Sequence, residues 1–194
     1  MNLYKIAKAL ISAIFYPLFR IKVIGKENIP KEGPVIICSN HISNFDPPVV
    51  GITSSRDISF MAKGELFESK FSNKLLTNLN AFPIQRGAAD RTALRNGLKV
   101  LKEGKTLGLF PEGTRSKTGE LGEPLSGIGF FALRSEAEVV PCAIIGSYKG
   151  FNKLTVAYGE PLDMGYYRNK KTSAKDMSEA IMEEIKDLKM KYEN

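Results

Sequence analysis

Among 194 residues there is one histidine, His41, and there are only two cysteines, Cys38 and Cys142. A lone histidine leaves a single imidazole to serve as a general base near neutral pH. Two cysteines inside apolar, strand-like runs exclude a disulfide framework; they read as small buried hydrophobes in a reducing cytoplasmic setting, with no metal site implied. Long hydrophobic runs are missing as well. The longest uncharged stretch, residues 9–19, falls well short of the ~20 residues a helix needs to cross a bilayer, which excludes a transmembrane helix. No internal repeat, low-complexity tract or long linker divides the chain. No aromatic-and-basic recognition module accompanies the formal net charge of +7, so nucleic acid is not an expected partner. With 43% hydrophobic and 25% charged residues, what remains is an ordinary composition with enough chain for one sizeable core.

The histidine stands in Asn40-His41-Ile42-Ser43-Asn44-Phe45-Asp46-Pro47, five positions before an aspartate. The preceding run, residues 34–38, is short, apolar and β-branched behind a Gly-Pro breaker, and predicts a buried strand with His41 just past its C-terminal end. Asp46 before Pro47 has the pattern of an N-cap followed by the first helical residue. A carboxylate bonded to one imidazole nitrogen fixes the ring and its tautomer and leaves the other nitrogen free to take a proton. Taken alone, the same spacing also describes a polar turn in which Asp46 only caps a helix.

A second cluster, Phe110-Pro111-Glu112-Gly113-Thr114-Arg115-Ser116, follows another strand-like run, so it too falls on a loop where a strand ends, the place where α/β folds build sites. Gly113 permits close backbone approach, Thr114 offers a hydroxyl, and Arg115 supplies a planar fork that matches a phosphate. Lys63 and Arg86 close two further strand-like runs, which would bring them to the same sheet edge. Strands are predicted near 21–24, 35–39, 58–62, 81–85, 106–110, 139–145 and 154–158, with helices between them, most clearly 90–102, 127–137 and a last one capped by Ser173. This alternation predicts a single α/β domain with a mostly parallel, helix-flanked sheet.

The spaced blocks resemble the glycerolipid acyltransferase family, the 1-acyl-sn-glycerol-3-phosphate acyltransferases. The blocks are Asn40-His41 to Asp46-Pro47, Phe60-Met61-Ala62-Lys63-Gly64-Glu65-Leu66 with Phe82-Pro83-Ile84-Gln85-Arg86-Gly87, residues 110–116, and Val139-Val140-Pro141-Cys142. The resemblance implies His41 as the catalytic base with Asp46 as its orienter. It further implies an acceptor phosphate held by Arg115 and Arg86 with Lys63, on a loop shaped by Glu112, Gly113 and Thr114. The implied reaction moves a fatty acyl group from a thioester donor, acyl-CoA or acyl carrier protein, to the free hydroxyl of a lysophospholipid, giving phosphatidic acid, with no bound cofactor. Gln85 stands where many members carry an acidic residue, which keeps another lysolipid acceptor, such as a lyso-aminolipid, open. A non-catalytic lipid-binding module is the alternative of a different class, and the intact His41–Asp46 pair speaks against it.

The first 20 residues carry Leu3, Ile6, Ala7, Leu10, Ile14 and Leu18 at helical spacing, with Ile11 and Phe15 widening the stripe and Pro17 ending or kinking it. No small-x-small cleavage site follows, so a signal peptide is not expected. Burying the seven Leu, Ile and Phe residues of that stripe is worth roughly 10 kcal/mol or more, too much to leave in water. Docking on the protein's own surface and lying in an anionic membrane interface both satisfy it, and the positive net charge favours the membrane. The expected organisation is an interfacial amphipathic helix over 1–20, an acyltransferase domain over 21–194, and a monotopic or peripheral place on the cytoplasmic face of the cell membrane. The predicted helix 90–102 places Arg91, Arg95, Lys99 and Lys102 on one face, a solvated surface by default, with contact to lipid headgroups and docking of an acidic acyl-donor carrier as the sharper readings.

Overall fold

A computed structural model of the chain describes residues 3–85, 90–149 and 153–193. Seven strands form one sheet in the order β1-β7-β6-β2-β5-β3-β4. They are β1 (Lys22–Ile24), β2 (Val35–Ser39), β3 (Ile58–Lys63), β4 (Ala81–Ile84), β5 (Thr106–Leu109), β6 (Glu138–Ile145) and β7 (Thr155–Tyr158). The five strands β4, β3, β5, β2 and β6 run parallel; β7 turns antiparallel to β6, and β1 pairs parallel with β7. The mostly parallel sheet follows from the alternation of strand and helix periods, because a helical crossover returns the chain to the same end of the sheet each time.

The central strands are apolar throughout because both of their faces are covered. In β2, Ile36 and Cys38 point into one core, with α4 (Arg91–Lys102), α5 (Ser126–Arg134), α6 (Met164–Asn169) and α7 (Ala174–Tyr192) over it. Val35 and Ile37 point into the other, beneath α1 (Leu3–Leu18) and α2 (Asp46–Thr53). The two cysteines are divided by the same alternation: Cys38 lies in the first core and Cys142 in the second, so neighbouring strands carry them on opposite faces. Both are free and buried, and burial pushes the Cys38 thiol well above its ordinary range and Cys142 up to about 12.

Local chemistry sets the helix boundaries. Asp90 caps α4 by accepting from Thr92 N and Ala93 N, and Ser173 caps α7 by accepting from Asp176 N. Helix α5 stops three residues short of the predicted end at Ala137. There the Ser135 hydroxyl donates to Phe131 O, and the Arg168 guanidinium collects the carbonyls of Ala132, Ser135 and Ala137. Carbonyls at and just past the helix end are thus satisfied by a side chain from α6, and no further turn is needed.

Helix α1 presents two faces. Tyr4 is buried and its hydroxyl accepts from Ile58 N; Lys8 donates from Nζ to Ser54 O at the end of α2. Burial lowers the Lys8 pKa. Phe15 and the following Phe19 pack into the second core. Leu3, Leu10, Ile14 and Leu18 stay exposed on the other side, Leu10 by 62%. Pro17 lies one residue before the end of the helix. No helix among the described residues is long and apolar enough to cross a membrane.

Candidate active site

The site is built where β2 ends. Asn40 follows the strand and is buried; its side chain donates to Ile144 O (2.9 Å) and accepts from Ile144 N (2.7 Å), locking the exit of β2 to β6 from both directions. His41 comes next. Its Nδ1 lies 2.7 Å from Asp46 Oδ2, and the Asp46 side chain is fully buried. The same oxygen accepts from Ile42 N at 2.6 Å and Ser43 N at 2.7 Å. The other oxygen, Oδ1, accepts from the Tyr148 hydroxyl at 2.7 Å.

Asp46 is therefore not the N-cap expected from its sequence. It is the first residue of α2, preceded by Phe45, and its carboxylate reaches back into the loop. The reason lies in Pro48 and Val49: an N-cap side chain needs backbone donors two or three residues on, but Pro48 has no N–H and Val49 N already donates to Phe45 O. Freed from capping, the carboxylate gathers the loop donors and the imidazole. His41 Nε2 bonds to no described residue, so the nitrogen opposite the carboxylate is open to a reactant. Phe110 stacks on the imidazole with centroids 4.1 Å apart, and Phe60 stacks on Phe110 in turn at 5.9 Å, giving the ring an apolar wall.

The second motif is stitched to the first. One oxygen of the buried Glu112 accepts from His41 N (3.0 Å) and the other from Gly122 N (3.1 Å), while Ser116 N donates to His41 O (2.8 Å). Both backbone groups of His41 are thus held by the loop after β5. Gly113 has φ 63°, and a Cβ there would run into the Leu125 side chain, so a glycine is required for the turn. Glu112, expected in the acceptor-binding loop, spends both oxygens on backbone donors and fixes the histidine.

Thr114 and Arg115 are exposed on the rim of a cleft of about 330 Å³, which Glu112, Glu120 and Glu123 also line. Lys63 is exposed at the end of β3. Because β2, β5 and β3 are adjacent and parallel, Lys63, which ends β3, lies at the same sheet edge as His41 and Arg115, which follow β2 and β5. Among the described residues neither Lys63 nor Arg115 forms an ion pair. Arg86 lies outside the described residues. The fourth block, Val139-Val140-Pro141-Cys142, is buried inside β6 beside β2. Tyr148, Asn40 and the stacking role of Phe110 escaped the sequence reading; only the position of Tyr148 shortly after a parallel strand offered a hint.

A family model described as Acyltransferase matches residues 20–145. A 1-acyl-sn-glycerol-3-phosphate acyltransferase of Bacillus subtilis is 32% identical over 183 residues, covering 89% of this chain and 90% of that protein. Another from Borreliella burgdorferi is 32% identical over 136 residues, covering 69% of this chain and 54% of that protein. Among solved structures, the 1-acyl-sn-glycerophosphate (LPA) acyltransferase PlsC from Thermotoga maritima superposes with a TM-score of 0.74 at 28% identity, over 96% of this chain and 78% of that one.

Proposed function

The chain belongs to the acyltransferase family, and from that premise we propose that it acylates the free hydroxyl of 1-acylglycerol 3-phosphate, making phosphatidic acid for phospholipid synthesis. The observation that carries the mechanism is the 2.7 Å contact of His41 Nδ1 with the buried Asp46, which leaves Nε2 without a partner among the described residues. Nε2 takes the acceptor proton as the hydroxyl oxygen attacks the thioester carbonyl; Asp46 orients the ring and stabilises the imidazolium. When the tetrahedral intermediate collapses, the C–S bond breaks and the imidazolium proton goes to the departing thiolate. Cys38 is fully buried in β2, which keeps its thiol inert and leaves the transfer direct, with no acyl-enzyme.

Arg115 and Lys63, free of ion pairs among the described residues and joined by Arg86, hold the acceptor phosphate. The donor is an acyl thioester, acyl-CoA or acyl carrier protein. The exposed Leu3, Leu10, Ile14 and Leu18 of α1, with Phe45 exposed beside the dyad, lie in the anionic interface on the cytoplasmic face of the cell membrane, where the lipid acceptor is found. Purified protein assayed with a panel of lysolipids and both donor types tests this reading. Turnover should be fastest with 1-acylglycerol 3-phosphate, and preference for an acceptor lacking the phosphate would overturn it.

A further inference from the structure

The side chain of Asp46 has one oxygen whose partner the dyad does not use. Oδ2 serves His41 Nδ1 and two backbone N–H groups, whereas Oδ1 has the Tyr148 hydroxyl as its donor. Tyr148 is 102 residues from Asp46 in sequence. The fold brings it there because β6 lies beside β2 and parallel to it, so both strands end at the same edge, and Gly146, at φ 111°, turns the chain just after β6. The phenol ring is fixed as well: Phe19, just past α1, meets it edge-on at 5.2 Å, and Phe45, beside Asp46, packs at 5.7 Å. Phe15 of α1 touches both Phe19 and Phe45, closing a four-ring cluster against the carboxylate. Burial and the neighbouring Asp46 push the phenol far above its ordinary range, so it stays a donor at every pH at which the enzyme works.

We propose that Tyr148 is a positioning residue for the His41–Asp46 pair, holding the plane of the Asp46 carboxylate through Oδ1 and drawing charge from it. This rests on the reading of His41 as the general base. The hydrogen bond does two things. It keeps Oδ2 aimed at Nδ1, since a carboxylate anchored at only one oxygen can rotate. It also spreads the carboxylate's negative charge, which weakens the pull of Asp46 on the imidazolium. Among the described residues, titratable groups next to the pair include Glu112, which accepts from the backbone N–H of His41, and Cys142, a thiol held neutral by burial.

Tyr148→Phe removes the hydroxyl and leaves the ring contacts in place. The expected outcome is a fall in kcat of about 10-fold or more, the scale of one hydrogen bond to a charged group, with the KM of either substrate changed less than about twofold. The acid limb of the pH–rate profile should move to higher pH, because the stripped carboxylate holds the imidazolium more tightly. Replacing Tyr148 with 3-fluorotyrosine, a stronger donor of nearly the same shape, should move that limb the opposite way, and this second variant decides the matter if the phenylalanine variant folds poorly. An acid limb that stays in place in both variants would overturn the proposal, even if thermal stability falls, because a purely structural tyrosine would not set the titration. These results are separable from a failure of the base assignment, which would show as retained turnover in His41→Ala.

Discussion

Around Asp46 each carboxylate oxygen has a donor and the side chain is fully buried, whereas Lys63 at the end of β3 and Arg115 in the loop after β5 are exposed and free of ion pairs among the described residues. The two regions sit on one edge of one sheet, and the difference fits the tasks proposed for them. A proton-transfer pair must hold its geometry through the reaction, and that geometry is set in advance by buried hydrogen bonds with little left to rearrange. Residues that receive a charged headgroup must stay solvated until the ligand supplies the counter-charge, since burying a free cation would be costly. Glu112 joins the two regions: it is buried like Asp46 but belongs to the loop of Arg115, and it fixes the backbone of His41.

Substitutions on the two sides should separate chemistry from binding. The largest effect belongs to the buried side. Asp46→Asn keeps the shape but can no longer orient and charge-balance the imidazole, and kcat is expected to fall about 10²–10⁴-fold with the fold intact by circular dichroism; a loss below tenfold would mean the carboxylate is a loop brace only. On the exposed side, Arg115→Ala should lower kcat/KM for the phosphate-bearing acceptor by about 10–100-fold, the scale of a charged hydrogen bond, while the apparent affinity for the acyl donor is kept. Equal losses for acceptors with and without a phosphate would remove Arg115 from the headgroup site. Smaller still, Leu10→Ser on the outer face of α1 should weaken binding to anionic vesicles by roughly tenfold or less, from the loss of one buried apolar side chain. Unchanged vesicle binding there would place that face away from the bilayer.

How much could be read from the chain alone follows from the range of the interactions concerned. Strand β2 was legible to the residue because Val35–Ser39 is buried on both faces and its apolar run is continuous. His41 and Asp46 were legible because a loop of a few residues brings them together. What was missed depends on distant partners. The end of α5 is set by Arg168, more than 30 residues away, and the second anchor of Asp46 by Tyr148, 102 residues away. The N-terminal stripe predicted one apolar face. Tyr4, Lys8 and Phe15 dock on the body of the protein, so the own-surface alternative holds for that side of the helix, while Leu10 and Ile14 stay exposed on the other. The expected capping role of Asp46 failed on local details, the missing N–H of Pro48 and the bond of Val49 N to Phe45 O.

The most direct measurement of the base assignment is the turnover of His41→Ala, purified and shown to be folded, against wild type with 1-acylglycerol 3-phosphate and saturating acyl donor. Since no second histidine exists to substitute, kcat is expected to drop about 10²–10⁴-fold and the acid limb of the pH–rate profile to disappear. Turnover close to wild type with the same acid limb would contradict the account.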